Sequence, residues 1–152
     1  MILYRLTKTR YLSSAWSGQG AKEAGGRWNS VGTAMVYLSE TASLTMLETL
    51  VHLNAPQLLG SFTLLSIEVP DNQIMLFDQD MLPDDWAAED APAILAQYGD
   101  DWAAGAQSVA LRIPSALSPV ENNFLFNPLH PAVAGLMHTV RAIPFSFDSR
   151  LK

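Results

Sequence analysis

The sequence predicts an α+β fold in one domain. Short stretches that alternate like strands are mixed with stretches at the three-to-four spacing of helices, without the regular strand–helix repeat of a parallel α/β protein. Size sets the domain count: 152 residues with 49% apolar side chains bury one sizeable core and not two.

The elements follow in chain order. Ile2 to Leu6 mixes apolar residues with Tyr4 and Arg5 and reads as a first strand. A polar loop runs from Ser13 to Gly32, with five glycines that permit positive dihedrals and close backbone approach. Ala34 to Leu38 returns as a strand. Ser39 or Thr41 can cap the helix that follows, whose buried face is expected at Leu44, Leu47, Leu50 and Val51, with Glu48 on its border. Ser61 to Val69 is a strong strand ended by Pro70, and Ile74 to Phe77 is a weaker one. Eight of the fifteen acids then fall between Asp78 and Asp101, where Asp84-Asp85-Trp86-Ala87-Ala88 recurs as Asp100-Asp101-Trp102-Ala103-Ala104. Asp favours helix N-termini, so two helices are expected, from about Asp85 to Tyr98 with a break near Pro92, and from Asp101 to about Gln107. Val109 to Ile113 forms a strand that Pro114 stops, leaving Ser115 at a corner. Asn122 to Pro131 reads as a polar loop punctuated by prolines. Val140 to Phe147 closes the chain as an edge strand carrying Pro144.

Composition narrows the function. Nine Lys and Arg against fifteen Asp and Glu give a net charge of −6, which opposes binding to a phosphate backbone or an anionic membrane. No segment is apolar for the roughly 18 residues of a membrane span, and the start has no signal-peptide pattern, so a cytoplasmic protein is expected. The chain has no cysteine, and His52, His130 and His138 lack metal-ligand spacing, so no metal site is expected.

The candidate chemistry centres on Gly25-Gly26-Arg27-Trp28-Asn29. Arg27 is isolated, since the next Lys or Arg is Arg112. Behind two glycines it is either an anion ligand, offering a bidentate fork to a pyrophosphate, or a surface arginine beside a turn. Arg5, inside an apolar strand, points to solvent, to a carboxylate or into a cleft. Tyr37 either stacks on a flat ring or packs in the core. Glu48 is the best candidate for a catalytic carboxylate, because partial desolvation and a fixed position suit it to stabilise a cationic transition state. Ser115 lacks a nucleophile elbow and reads as a turn residue. Asn122, Asn123, Asn127 and His130 either bind a polar ligand or satisfy loop backbone. Neither a P-loop nor a Rossmann fingerprint is present.

Together these short motifs resemble the RES-domain family. The resemblance rests on Gly25 to Asn29, Gly32, Val36-Tyr37-Leu38, Leu47-Glu48 with Val51-His52, Pro114-Ser115, Asn127-Pro128 with His130-Pro131, and the ending from Pro144 to Leu151, and it spans 1–152 as a single RES domain. It implies a toxin of the RES-Xre class of bacterial toxin–antitoxin modules, with a fold similar to ADP-ribosyltransferases of the diphtheria-toxin type and a cleft between packed small sheets. It also implies NAD as a substrate, with no cofactor besides, cleaved at the nicotinamide–ribose bond by hydrolysis or phosphorolysis. Carried onto this chain, Arg5 and Arg27 bind the phosphates or ribose, Tyr37 packs against nicotinamide or its ribose, Glu48 is the catalytic carboxylate, Ser115 supports it, and Asn127 joins the cleft. The implied partner is an Xre-family helix-turn-helix antitoxin, in a complex where the toxin is a homodimer and DNA contact belongs to the antitoxin. The acid-rich segment from Asp78 to Asp101 is expected to lie away from the cleft. Two rivals remain at this point: an ADP-ribosyltransferase that modifies a cellular protein, and a non-catalytic module that binds a partner.

Overall fold

The computed structural model describes residues 1–151. Its strands are β1 (Ile2–Lys8), β2 (Val36–Ser39), β3 (Phe62–Glu68), β4 (Ile74–Leu76), β5 (Ala110–Pro114), β6 (Asn122–Phe126) and β7 (Arg141–Ile143), and its helices are α1 (Gln19–Ala24), α2 (Ala42–Leu50) and α3 (Ala93–Gly105). The strands lie side by side in the order β4-β5-β6-β2-β1-β3-β7. Among the described residues every pairing is antiparallel except β4 with β5, which α3 connects. The fold is α+β, as the sequence predicts.

The ladder is uneven. β1 pairs with β3 over seven residues and β2 with β6 over four, but β1 and β2 meet only at Tyr4 and Ser39. The sheet is therefore two small blocks, β4-β5-β6-β2 and β1-β3-β7, joined by a single residue pair. The seam between them positions the site described below.

Three apolar clusters fill the interior. Leu3, Val36, Leu38, Ile67, Phe124 and Phe126 pack on one face across both blocks. Trp28, Met35, Leu95, Leu111, Ile113 and Leu125 join the first block to α3 and the Gly25–Asn29 turn. Leu6, Phe62 and Leu64 pack with Phe145 and Phe147 beside the second block.

Four expectations change. Asn122–Phe126 is a strand and not a loop: Phe124, Leu125 and Phe126 are all buried between β5 and β2, so they read as an apolar run without alternation. The two acidic helices are one helix, α3, which runs through Gly99-Asp100-Asp101 because Leu95, Gly99 and Trp102 recur on the face turned to the core. The first Asp-Asp-Trp-Ala-Ala copy lies outside it, in turns between Pro83 and Pro92. The glycine-rich loop contains a short helix, α1, ended by Gly25 at φ +72°. On α2, Thr41 is the N-cap, accepting from the Leu44 amide at 3.0 Å, but Leu44 and Thr45 form the buried edge, while Leu47 and Val51 are exposed. No helix among the described residues is long and apolar enough to cross a membrane.

Candidate active site

A cleft of about 900 Å³ opens over the seam. Its floor is set by register. Ile113 of β5 stands opposite Asn123 of β6, which stands opposite Ser39 of β2, and Tyr37 lies two pairs along, opposite Leu125. Helix α2 forms one wall with Thr45, Glu48 and Thr49. Its placement is fixed where Thr45, buried in the interface, donates to the Tyr4 carbonyl of β1 at 3.2 Å.

Glu48 is held from two sides. Its Oε1 accepts from Ser115 Oγ at 2.8 Å and from Asn123 Nδ2 at 2.6 Å. Ser115 Oγ in turn accepts from the backbone amides of Leu117 and Ser118, each at 3.1 Å. The strand-to-loop corner at Pro114 thus aims the one hydroxyl proton of Ser115 at the carboxylate. Ser115 is buried.

Arg27 and Trp28 form the tip of a tight turn closed by a 3.0 Å bond from the Gly26 amide to the Asn29 carbonyl. Trp28 goes into the core, edge-on to Phe77, while Arg27 lines the cleft. Gly26 is needed here by contact: a Cβ on it would lie 2.7 Å from the Tyr37 hydroxyl and 2.8 Å from Asn29 Oδ1. The Tyr37 hydroxyl accepts from the Trp28 amide at 3.0 Å and donates to Asn29 Oδ1 at 2.7 Å. Burial first of all pushes its pKa above the ordinary tyrosine value, so it remains a neutral donor. Asn29 completes the brace by donating to the Ala21, Ser30 and Thr33 carbonyls. Because Asn29 is buried with both ends of its amide in use, Asn29→Ala is expected to lower stability by about 2 kcal/mol, read as a urea midpoint shift. An unchanged midpoint would show that the turn holds without it.

Arg5 lies at the seam. Its Nη1 donates to the Tyr37 carbonyl at 3.3 Å, and its Nε is buried with no hydrogen-bond partner. Among the described residues the salt bridges are Met1 to Asp71 and Asp148 to Arg150, so neither Arg5 nor Arg27 has a carboxylate partner. Burial pulls the Arg5 pKa down from its ordinary value.

Of the predicted site residues, Arg5, Arg27, Tyr37 and Glu48 line one cleft, and Ser115 is buried beside it, bonded to Glu48. Asn127 does not line it. Its Nδ2 donates to the Ala103 carbonyl and its Oδ1 accepts from the Leu129 amide, so it ties the end of β6 to α3 away from the cleft. A second correction concerns the acidic segment. Arg27 Nη1 donates to the carbonyls of Trp86 at 2.9 Å and Ala88 at 2.8 Å, and Glu89 and Asp90 line the cleft. The segment crosses beside Arg27 instead of lying apart, because main-chain carbonyls and not its side chains make the contact. Ser39 is the addition, and Asn123, one of the four polar candidates read from the sequence as loop residues, joins the site from strand β6. Ser39 reads in the sequence only as a possible cap, and its link to Asn123 becomes visible only once β6 is a strand.

Comparison with known proteins places this geometry. The RES domain family model matches residues 2–148. The chain is 45% identical to Toxin Res of Photorhabdus laumondii over 151 residues, covering 99% of this chain and 97% of that protein. It is 43% identical to Toxin Res of Yersinia enterocolitica over the full length of both. It is 40% identical over 129 residues to the Prs ADP-ribosylating toxin of Sphingobium sp., covering 83% and 80%. The fold is similar to that in the crystal structure of the M. tuberculosis MbcT–MbcA toxin–antitoxin complex, with a TM-score of 0.71 over 99% of this chain and 85% of that one at 19% identity. With a family model spanning nearly all of it and full-length relatives named as toxins, the chain belongs to the RES domain family and is one of its toxins.

Proposed function

We propose that this toxin consumes NAD by cleaving the bond between nicotinamide and ribose. One observation carries the reading: a carboxylate held by two donors and a buried guanidinium without a counter-ion face the same cleft. An unpaired buried cation is costly unless an anion meets it, and a dinucleotide pyrophosphate is such an anion.

The chemistry fits one carboxylate. When the bond from C1′ to the nicotinamide nitrogen breaks, both electrons leave with nicotinamide, which becomes neutral and needs no proton. Positive charge develops at C1′ and the ring oxygen, and an adjacent carboxylate stabilises it most in the transition state. The acceptor oxygen then bonds to C1′; water, which passes one proton to solvent, or a phosphate dianion fills this role. In this reading Glu48 meets the developing charge or the ribose hydroxyls, Arg5 and Arg27 meet phosphate, and Tyr37 holds the Arg27 turn while presenting its ring to the cleft.

The test is to incubate the purified toxin with NAD, with and without phosphate, and to quantify nicotinamide, ADP-ribose and its phosphorylated form. Glu48-dependent release of nicotinamide supports the reading, and the phosphate dependence separates hydrolysis from phosphorolysis. Intact NAD overturns it. A second reading, transfer of ADP-ribose to a protein, is favoured by the name of the Sphingobium relative. It predicts label from NAD on a macromolecule with little loss of the NAD pool.

Arg5→Met gives a separate expectation. Removing the cation should raise KM for NAD about tenfold or more with a smaller change in kcat, while stability stays level or rises, because an uncompensated buried charge is gone. Lower stability with unchanged KM would make Arg5 a structural residue. The expected partner is an Xre-family antitoxin bound to a toxin homodimer in the cytoplasm, a proposal that the MbcT–MbcA pair supports at the level of the fold.

A further inference from the structure

We propose that Asn123 is a positioning residue for Glu48, and that Ser39 fixes the direction of its amide. Together they assign the two carboxylate oxygens different tasks. The inference builds on the NAD-consuming reading, since it concerns the same carboxylate.

The bonds run in one direction. Ser39 Oγ donates to Asn123 Oδ1 at 2.8 Å. With its oxygen committed, the Asn123 amide turns its NH₂ group to Glu48 and donates to Oε1 at 2.6 Å. From the opposite side Ser115 donates to that same Oε1, its own lone pairs already taken by two backbone amides. Oε1 thus collects both donors, and Oε2 receives no donor from the described residues. The carboxylate is pinned through one oxygen and offers the other to the cleft.

The sheet makes this arrangement rigid. Ser39 and Asn123 are directly paired across β2 and β6, and Asn123 is paired again with Ile113 of β5, so the amide stands on a strand held on both sides. Ser39 is buried and is also the β2 member of the only pair joining β2 to β1. A glutamate on an exposed helix samples several rotamers; bonding one of its oxygens from a strand and from a corner removes that freedom before substrate arrives. The benefit belongs to the transition state, so it should appear in kcat more than in KM.

Asn123→Asp tests the claim with least change in volume. It keeps an acceptor for Ser39 but sets a carboxylate oxygen against Glu48. Turnover of NAD should fall about 100-fold or more with KM within about threefold of wild type. Ser39→Ala should lower kcat about three- to tenfold by itself, and should have no further effect in the Asn123→Ala background, because its influence passes through that amide. Growth arrest on induction supplies a readout that presupposes no substrate, and thermal unfolding confirms that each variant is folded. Full turnover in a folded Asn123→Ala toxin, or independent additive losses for Ser39 and Asn123, would overturn the proposal. Should wild type arrest growth without consuming NAD, the functional reading fails, and loss of arrest in folded Asn123→Asp with additive or coupled Ser39 effects still decides the positioning role.

Discussion

Glu48→Gln is expected to abolish most NAD turnover, by about 100- to 1,000-fold, while leaving the protein folded. Glutamine keeps the shape of the side chain, and its carbonyl oxygen can accept the same bonds from Ser115 and Asn123. Only the charge is lost. On the proposed mechanism positive charge moves from the nicotinamide ring onto the ribose only as the bond breaks, so kcat should carry the loss and KM should move little. The unfolding midpoint should stay within about 0.5 kcal/mol of wild type, and growth arrest should disappear with turnover. Turnover retained at about a third of wild type would remove Glu48 from the mechanism, whereas growth arrest retained by Glu48→Gln with no NAD turnover in either protein would favour the partner-binding rival.

The largest effect on stability is expected at Gly99. Glycine inside a helix ordinarily invites replacement, since Ala is better by about 1 kcal/mol in an exposed position. Here the sign should reverse. Gly99 is buried in the middle of α3, and a Cβ there would overlap the Trp28 carbonyl and press on its carbonyl carbon, so the helix and the Arg27–Trp28 turn touch backbone to backbone. Neither side yields easily, because Trp28 is buried and its amide is bonded to Tyr37. Gly99→Ala should lose about 2–4 kcal/mol in urea unfolding. The surviving folded fraction should also turn over NAD more slowly, as Arg27 shifts with its turn. A variant more stable than wild type would show that α3 packs at a distance from the turn.

Most strands were legible, and four of the residues singled out in the sequence, Arg5, Arg27, Tyr37 and Glu48, line the same cleft. β3 and β5 declare themselves through apolar runs ended by proline, β1 and β2 through short runs of strand-forming residues, and Thr41 through its place before an apolar helix. The failures share a cause: local signals were outvoted by tertiary contacts. Asn122 and Asn123 read as loop because asparagine is rare in strands, but the partners that pay for it, Ser39 and Glu48, are more than seventy residues away. Gly99 and Asp100 read as a helix boundary, yet close approach to Trp28 requires that glycine. Arg27 was recognised as a cation at a glycine turn, whereas the carbonyls of Trp86 and Ala88 that hold it carry no side-chain signature at all. Asn127 drew attention as a polar residue in a motif, and it proved to be a brace between β6 and α3.

The single pair joining β1 to β2 has a consequence for what the cleft can recognise. A regular ladder consumes the inward-facing amides and carbonyls of both neighbours, but here these two strands part after Tyr4 and Ser39, and Arg5 reaches across to the Tyr37 carbonyl where a backbone amide would otherwise stand. The sheet is left unfinished at the point where the cleft opens. The opening is therefore set by how far apart two main chains stand, a feature that most side-chain substitutions leave in place.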